Sequence, residues 1–318
     1  MSDTKNPPAC YACGAHMALR FGTSAPNHWK CPQCRLECIS PQLSDVELGE
    51  IYNPSYFAHY QKDLNGEIVR AMKRSTYRHQ LRRLPVPASL PGEKKLLDCG
   101  AATGYLAELA KEMGWDAFAI EYSEFGANAC LKVLGPGRVY RGQVQDSGFA
   151  ANPGGQFSAI TMFDFIEHVR EPRAVLQWAK QRLNSQGTLL LTTPQAGSLS
   201  WRLMGPQWFH YTSREHLWFF SPKSIQILLE QSGFRAIKVR ALRKAVTIGY
   251  ALAHYSRGGS YSPVFTPLTR LLNAILPEFV KQWRLWFYLG EMAVQAEASP
   301  LHADRRENTR REETVHAR

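Results

Sequence analysis

Between residues 93 and 298, apolar and polar positions follow two alternating periods. Apolar Leu96 and Leu97 lead into Asp98, and a turn of small residues (100–104) precedes a helix-like run. A second apolar strand ends on Glu121, and 138–144 predicts a third with Asp146 just beyond it. Residues 157–164 are nearly all apolar, which predicts a strand buried on both faces. A helix follows, with Pro172 in its first turn, Val175, Leu176, Trp178 and Leu183 as apolar positions, and Gly187 as its stop. Residues 188–193 predict a strand closed by Pro194, and Ser221 caps a helix that runs through Ile225, Leu228 and Leu229 to Gly233. Residues 235–242 alternate as a strand, and 291–298 predict a last strand at the sheet edge. Seven strands alternating with helices predict an α/β fold, a doubly wound Rossmann-like sheet.

The turn after Asp98 (Gly100, Ala101, Ala102, Thr103, Gly104) brings backbone close to a ligand, and Glu121 on the next strand tip can accept two ribose hydroxyls. A dinucleotide site wants another small residue after Gly104, where this chain has Tyr105. A carboxylate at Asp98 would repel a pyrophosphate but accept hydrogen bonds from an ammonium group. The turn resembles motif I of class I S-adenosylmethionine-dependent methyltransferases, Asp-x-Gly-x-Gly-x-Gly, with Ala102 in place of the middle glycine. Phe163–His168, Glu171-Pro172, Thr192-Thr193-Pro194, Glu215-His216-Leu217, Phe220-Ser221-Pro222 and Ser232-Gly233-Phe234 extend this resemblance. They point to the subgroup that includes ubiquinone-biosynthesis O-methyltransferases and tailoring enzymes. The resemblance implies methyl transfer from S-adenosyl-L-methionine. It places Asp98, Gly100, Ala102 and Gly104 at the methionine part, Glu121 at the ribose, Asp146 near the adenine and Asp164 beside the cofactor.

Methyl transfer from a sulfonium needs positioning and removal of the acceptor proton. His168, just after the fourth strand, is a candidate base, and Asp164 orients it if the chain turns helically there. His216 is a second candidate, in the aromatic and polar segment 208–216. The plainer alternative has Glu167-His168 capping the following helix.

Cys10-x-x-Cys13 and Cys31-x-x-Cys34 have the spacing of two knuckles around one tetrahedral ion, and four thiolates favour structural zinc. Cys38 is a spare, and His16 and His28 would serve only in place of a lost cysteine. With so few apolar residues, this module needs the metal to fold.

These signals divide the chain into a zinc ribbon (1–45), a helical connector or cap (46–92), a methyltransferase domain (93–300, with a helical insertion at 245–289) and a disordered tail (301–318). The connector carries an aromatic cluster (Tyr52, Tyr56, Phe57, Tyr60) and then a basic run. The net charge of +11 keeps a zinc-ribbon rRNA or tRNA methyltransferase open as an alternative, alongside a non-catalytic methyltransferase-like scaffold. A small-molecule or sugar-type acceptor, methylated on oxygen, is the preferred reading. The insertion reads as a lid, a homodimer face or a peripheral membrane contact. No apolar stretch is long enough to span a bilayer. With neither a secretory signal nor a cysteine pattern that needs oxidation, a cytoplasmic location is expected.

Overall fold

The computed structural model describes residues 7–22, 26–51, 66–84, 94–149, 157–212, 215–257 and 265–299. The aromatic cluster at residues 52–60 lies outside them. Three short strands open the chain: β1 (Ala18–Phe21), β2 (Asn27–Lys30) and β3 (Glu37–Ser40). The strands β4 (Lys95–Cys99), β5 (Asp116–Glu121), β6 (Val139–Arg141), β7 (Phe157–Phe163) and β8 (Leu183–Pro194) then form a parallel set. After β9 (Trp218–Phe219) come the long strands β10 (Phe234–Thr247) and β11 (Arg284–Ala298).

The large sheet has the order β10-β11-β8-β7-β4-β5-β6, so its direction of growth reverses between β4 and β7. A crevice opens at the carboxyl ends of the strands at such a reversal. Every residue of β7 is buried, Ser158 and Thr161 included, as its mostly apolar run requires.

Three local expectations are corrected. Strand β11 lies between β8 and β10, so β10 and not 291–298 holds that edge. Exposed Arg235, Lys238, Arg240 and Arg243 line it, a charged edge that discourages further strand pairing. Gly187 does not stop a helix: the helix Pro172–Arg182 ends earlier, because Leu183 already pairs with Phe157. The β10–β11 pairing also continues from Arg243↔Tyr288 to Thr247↔Arg284, well into the segment expected to be helical. The described insertion helices are Ile248–Arg257, Phe265–Ile275 and Glu278–Lys281.

The amino-terminal module is not a separate body. Strand β3 pairs antiparallel with β9, and one apolar core runs from Cys10, Met17 and Leu36 through Trp208, Trp218 and Phe219 to Ile225. The connector helix Gly66–Leu81 lies along the helix Tyr105–Glu112. Arg70 meets Glu108 at 2.6 Å, Arg78 meets Glu112 at 3.7 Å, and Arg74 also pairs with Glu112. No described helix is long and apolar enough to cross a membrane.

Candidate active site

A cavity of about 560 Å³ opens at the β4/β7 reversal. Its floor is the turn after β4, which is built from left-handed residues: Gly100 (φ 75°), Ala102 (φ 48°) and Gly104 (φ 82°). A Cβ on Gly100 would lie 2.4 Å from Phe165 Cδ2, so this position accepts no side chain. Ala102 takes the left-handed conformation at a cost of about 1 kcal/mol. Its N–H donates to Glu121 Oε2 at 2.8 Å, while Glu121 Oε1 accepts from the Ser123 N–H at 2.9 Å. The Glu121 carboxylate thus ties the turn to the end of β5. A Cβ on Gly126 would meet Ala102 O at 2.6 Å and Glu121 Cγ at 2.7 Å, so the helix Glu124–Leu134 can pack against the turn only without a side chain there.

Asp98 is 2% exposed and accepts from Thr161 Oγ1 at 2.8 Å, directly across the β4–β7 register. Burial, opposed by this hydrogen bond and reinforced by Glu121, raises its pKa to about 7. Burial also raises Glu121, against the hydrogen bonds from the Ser123 and Ala102 backbone. Two enclosed carboxylates with elevated pKa values, beside a turn stripped of side chains, suit a ligand bearing an ammonium at one end and hydroxyls at the other. The donor set fits S-adenosylmethionine.

The far wall is the end of β7. Asp164 (φ 50°) accepts from Thr192 Oγ1 at 2.9 Å and lies 3.8 Å from Lys244 Nζ, which also pairs with Glu291 at 2.5 Å. Burial raises the Asp164 pKa, but Lys244 and Thr192 outweigh it and hold the group below the usual carboxylate range. His168 lines the cavity, with Nδ1 3.2 Å from the Glu215 carbonyl oxygen. The Glu215 carbonyl thus meets the ring directly, while Asp164 acts on it through its charge and its backbone. Burial and neighbouring His216 push the His168 pKa down to about 3, and burial also lowers His216. The two rings are 4.8 Å apart, and His216 Nδ1 lies 2.8 Å from the His210 carbonyl. Glu167-His168 does not cap the next helix, whose N-cap is Glu171 without a side-chain bond.

Asp146 is not among the residues that line the cavity. It sits on the exposed side of the single turn Val144–Asp146, while Gly142, Gln143, Val144 and Gln145 line the cavity. Lys73 and Tyr77 of the connector helix also line it, with Tyr77 edge-on to Phe163 at 5.3 Å. None of the described insertion residues does, so the described part of the insertion is not a lid on this cavity.

The four knuckle cysteines converge. Cys10 and Cys34 sulfurs are 3.4 Å apart, Cys13 and Cys31 sulfurs 3.5 Å, and all four lie within 4.8 Å of one another. Thiolates about 2.3 Å from one ion stand just under 4 Å apart, so the geometry suits tetrahedral zinc. The Cys34 thiol and the backbone of Cys13 and Ala12 pull Cys10 down to about 5, against burial. Cys38 stays outside the group, its sulfur 3.7 Å from Met17 Sδ.

A methyltransferase-domain family model matches residues 69–239, more than half of the 318 residues. The chain belongs to this family and is a class I S-adenosylmethionine-dependent methyltransferase. It is 29% identical over 152 residues to the ubiquinone biosynthesis O-methyltransferase of Methylococcus capsulatus, covering 47% of this chain and 62% of that protein. With the Thiobacillus denitrificans enzyme of the same name it shares 29% over 163 residues, 51% of this chain and 69% of that one. The chain thus spans less than two-thirds of the first relative's length. Among solved structures, a SAM-dependent methyltransferase from Archaeoglobus fulgidus superposes with a TM-score of 0.50 at 17% identity, covering 76% of this chain and 99% of the other. A chain from the complex of the Haloferax volcanii Trm112 methyltransferase activator with a methyltransferase gives 0.55 at 12% identity, covering 81% and 100%. Both structures share the fold.

Proposed function

We propose that the chain methylates a hydroxyl oxygen of a small-molecule or sugar-type acceptor and holds a structural zinc ion at Cys10, Cys13, Cys31 and Cys34. The observation that carries the oxygen reading is the His168 imidazole on the cavity wall, its Nδ1 set against the Glu215 carbonyl; a bound acceptor would have to lift its lowered basicity for it to take the proton. S-adenosylmethionine supplies a methyl group already activated on sulfur. The rest is positioning. Asp98 accepts from the donor's ammonium, Glu121 accepts from its ribose hydroxyls, and the segment around Gln143 faces the adenine. His168, oriented by the Glu215 carbonyl, takes the acceptor proton, with His216 packed behind it. The relatives named for O-methylation support this reading. For the RNA alternative, Arg70, Arg74 and Arg78 are already paired with Glu108 and Glu112, which leaves the exposed Arg235, Lys238, Arg240 and Arg243 edge as its basic surface.

The test combines calorimetry with S-adenosylhomocysteine and transfer of labelled methyl to a panel of hydroxylated acceptors. His168→Ala should lose most turnover and keep its affinity for S-adenosylhomocysteine; an unaltered rate removes it as base. Folded, zinc-loaded protein with no affinity for that ligand would sink the whole reading.

A further inference from the structure

We infer that the insertion between β10 and β11 seats this protein on an anionic phospholipid surface. The helix Phe265–Ile275 turns Thr266 and Thr269 into the protein and Leu268, Leu271 and Ile275 away from it. Those three apolar residues fall at i, i+3 and i+7, one stripe of the helix, and their exposure runs from 47% for Leu268 to 62% for Ile275. Phe279 and Trp283 follow in the chain, 65% and 56% exposed, with ring centroids 6.4 Å apart. Single exposed apolar side chains are ordinary, whereas an aliphatic stripe running into an aromatic pair marks a contact surface.

This surface is fixed to the body of the enzyme. The Ile248 N–H donates to the Trp283 carbonyl at 3.0 Å, and β10 and β11 stay paired as far as Thr247↔Arg284. Val246, Ala251 and Leu289 pack with Met72 of the connector helix, and Arg284 Nη1 donates to Ser75 Oγ at 3.3 Å. The helix that carries Lys73 and Tyr77 of the cavity therefore also braces the insertion.

Charge decides the partner. Between Phe265 and Arg284 the bases are Arg270, Lys281 and Arg284, and the only acid is Glu278. Lys281 takes Glu278 at 2.8 Å, which leaves exposed Arg270 and Arg284 in excess; among the described residues neither pairs with a carboxylate. Exposed Arg243 and Arg240 continue the positive charge along β10. A bilayer surface answers both features, because the apolar side chains enter the boundary between headgroups and acyl chains while the arginines meet lipid phosphates. A two-fold contact with a second copy would set two arginine-bearing faces against each other, with Glu278 already taken. RNA would use the arginines and leave Leu268, Leu271 and Ile275 in water.

Full-length, zinc-loaded protein should co-sediment with vesicles of roughly three parts phosphatidylcholine to one part phosphatidylglycerol, binding about tenfold or more tighter than to phosphatidylcholine alone, with the gain shrinking as salt rises. Brominated acyl chains should quench tryptophan fluorescence, and Trp283→Phe should remove most of that quenching. Leu271→Ser combined with Phe279→Ser changes only exposed side chains. It should weaken binding to the mixed vesicles about tenfold or more, with melting temperature and S-adenosylhomocysteine affinity unaltered. Arg270→Gln combined with Arg284→Gln should lose about tenfold to thirtyfold on the mixed vesicles and little on neutral ones. Equal binding to both kinds of vesicle, or a serine variant that sediments like the native protein, overturns the assignment. So does a protein that ignores vesicles, whether it binds single-stranded RNA or dimerises through this face in sedimentation velocity.

Discussion

Donor affinity should depend on pH through Asp98. The carboxyl is 2% exposed, its one short side-chain hydrogen bond comes from Thr161, and it titrates at about 7 in the ligand-free protein. An ammonium in hydrogen-bond reach needs the ionised form, so binding must first expel whatever proton is there. With a pKa of 7, about one carboxyl in eleven is ionised at pH 6 and about ten in eleven at pH 8, so affinity should rise roughly tenfold across that window. Binding near pH 7 should release about half a proton. Over this range the ligand's own ammonium and carboxylate keep their charges. The sign also applies to stability. Because the folded pKa is raised above 3.8, ionising Asp98 works against the ligand-free fold as pH climbs from about 4 to 7, and S-adenosylhomocysteine offsets this. Its thermal stabilisation should therefore be larger at pH 8 than at pH 6. Calorimetry in buffers of different ionisation enthalpy measures both affinity and proton release. Glu121, also raised, adds to the trend, so Asp98→Asn is the control: it should flatten most of the slope and weaken binding at pH 8. A flat profile in the native protein, or wild-type affinity in Asp98→Asn at pH 8, would refute the assignment of Asp98 to the ammonium.

Gly126→Ala should cost about tenfold to a hundredfold in S-adenosylhomocysteine affinity while the protein stays folded, since the new methyl displaces the Glu121 carboxylate; circular dichroism and calorimetry check both halves. A chelator strong enough to strip thiolate-bound zinc should release about one equivalent from the knuckles and lower the melting temperature, followed with a colorimetric zinc dye. Tyr211→Phe removes the hydroxyl that donates to buried Glu37, a carboxylate also paired with Arg20; denaturant unfolding should show a loss of about 1–3 kcal/mol.

Local chemistry made parts of the site readable in one dimension. The turn after Asp98 and the two Cys-x-x-Cys pairs are short-range patterns, because a tight bend or a knuckle is decided by residues a few positions apart. Thr161, Lys244 and Glu291 left no such trace. Thr161 meets Asp98 only through the β4–β7 register, and Lys244 reaches Asp164 because β10 runs beyond its expected end. Gly187 looks like a helix stop because glycine marks both helix ends and irregular strands, and only the pairing of Leu183 with Phe157 decides between them. Asp146 drew attention by its charge, whereas Gln143 and Gln145 face the cavity without one. A two-residue strand such as β9 is too short for any periodicity to betray.

That small strand has a practical outcome for anyone excising the catalytic half. A fragment cut to the family boundary near residue 69 would keep every cofactor residue yet lose the partner of Trp218-Phe219 and the cover over Ile225. It would present greasy aromatics and a bare backbone edge to water and should precipitate. The first forty residues are better regarded as a missing wall of the enzyme than as a detachable accessory.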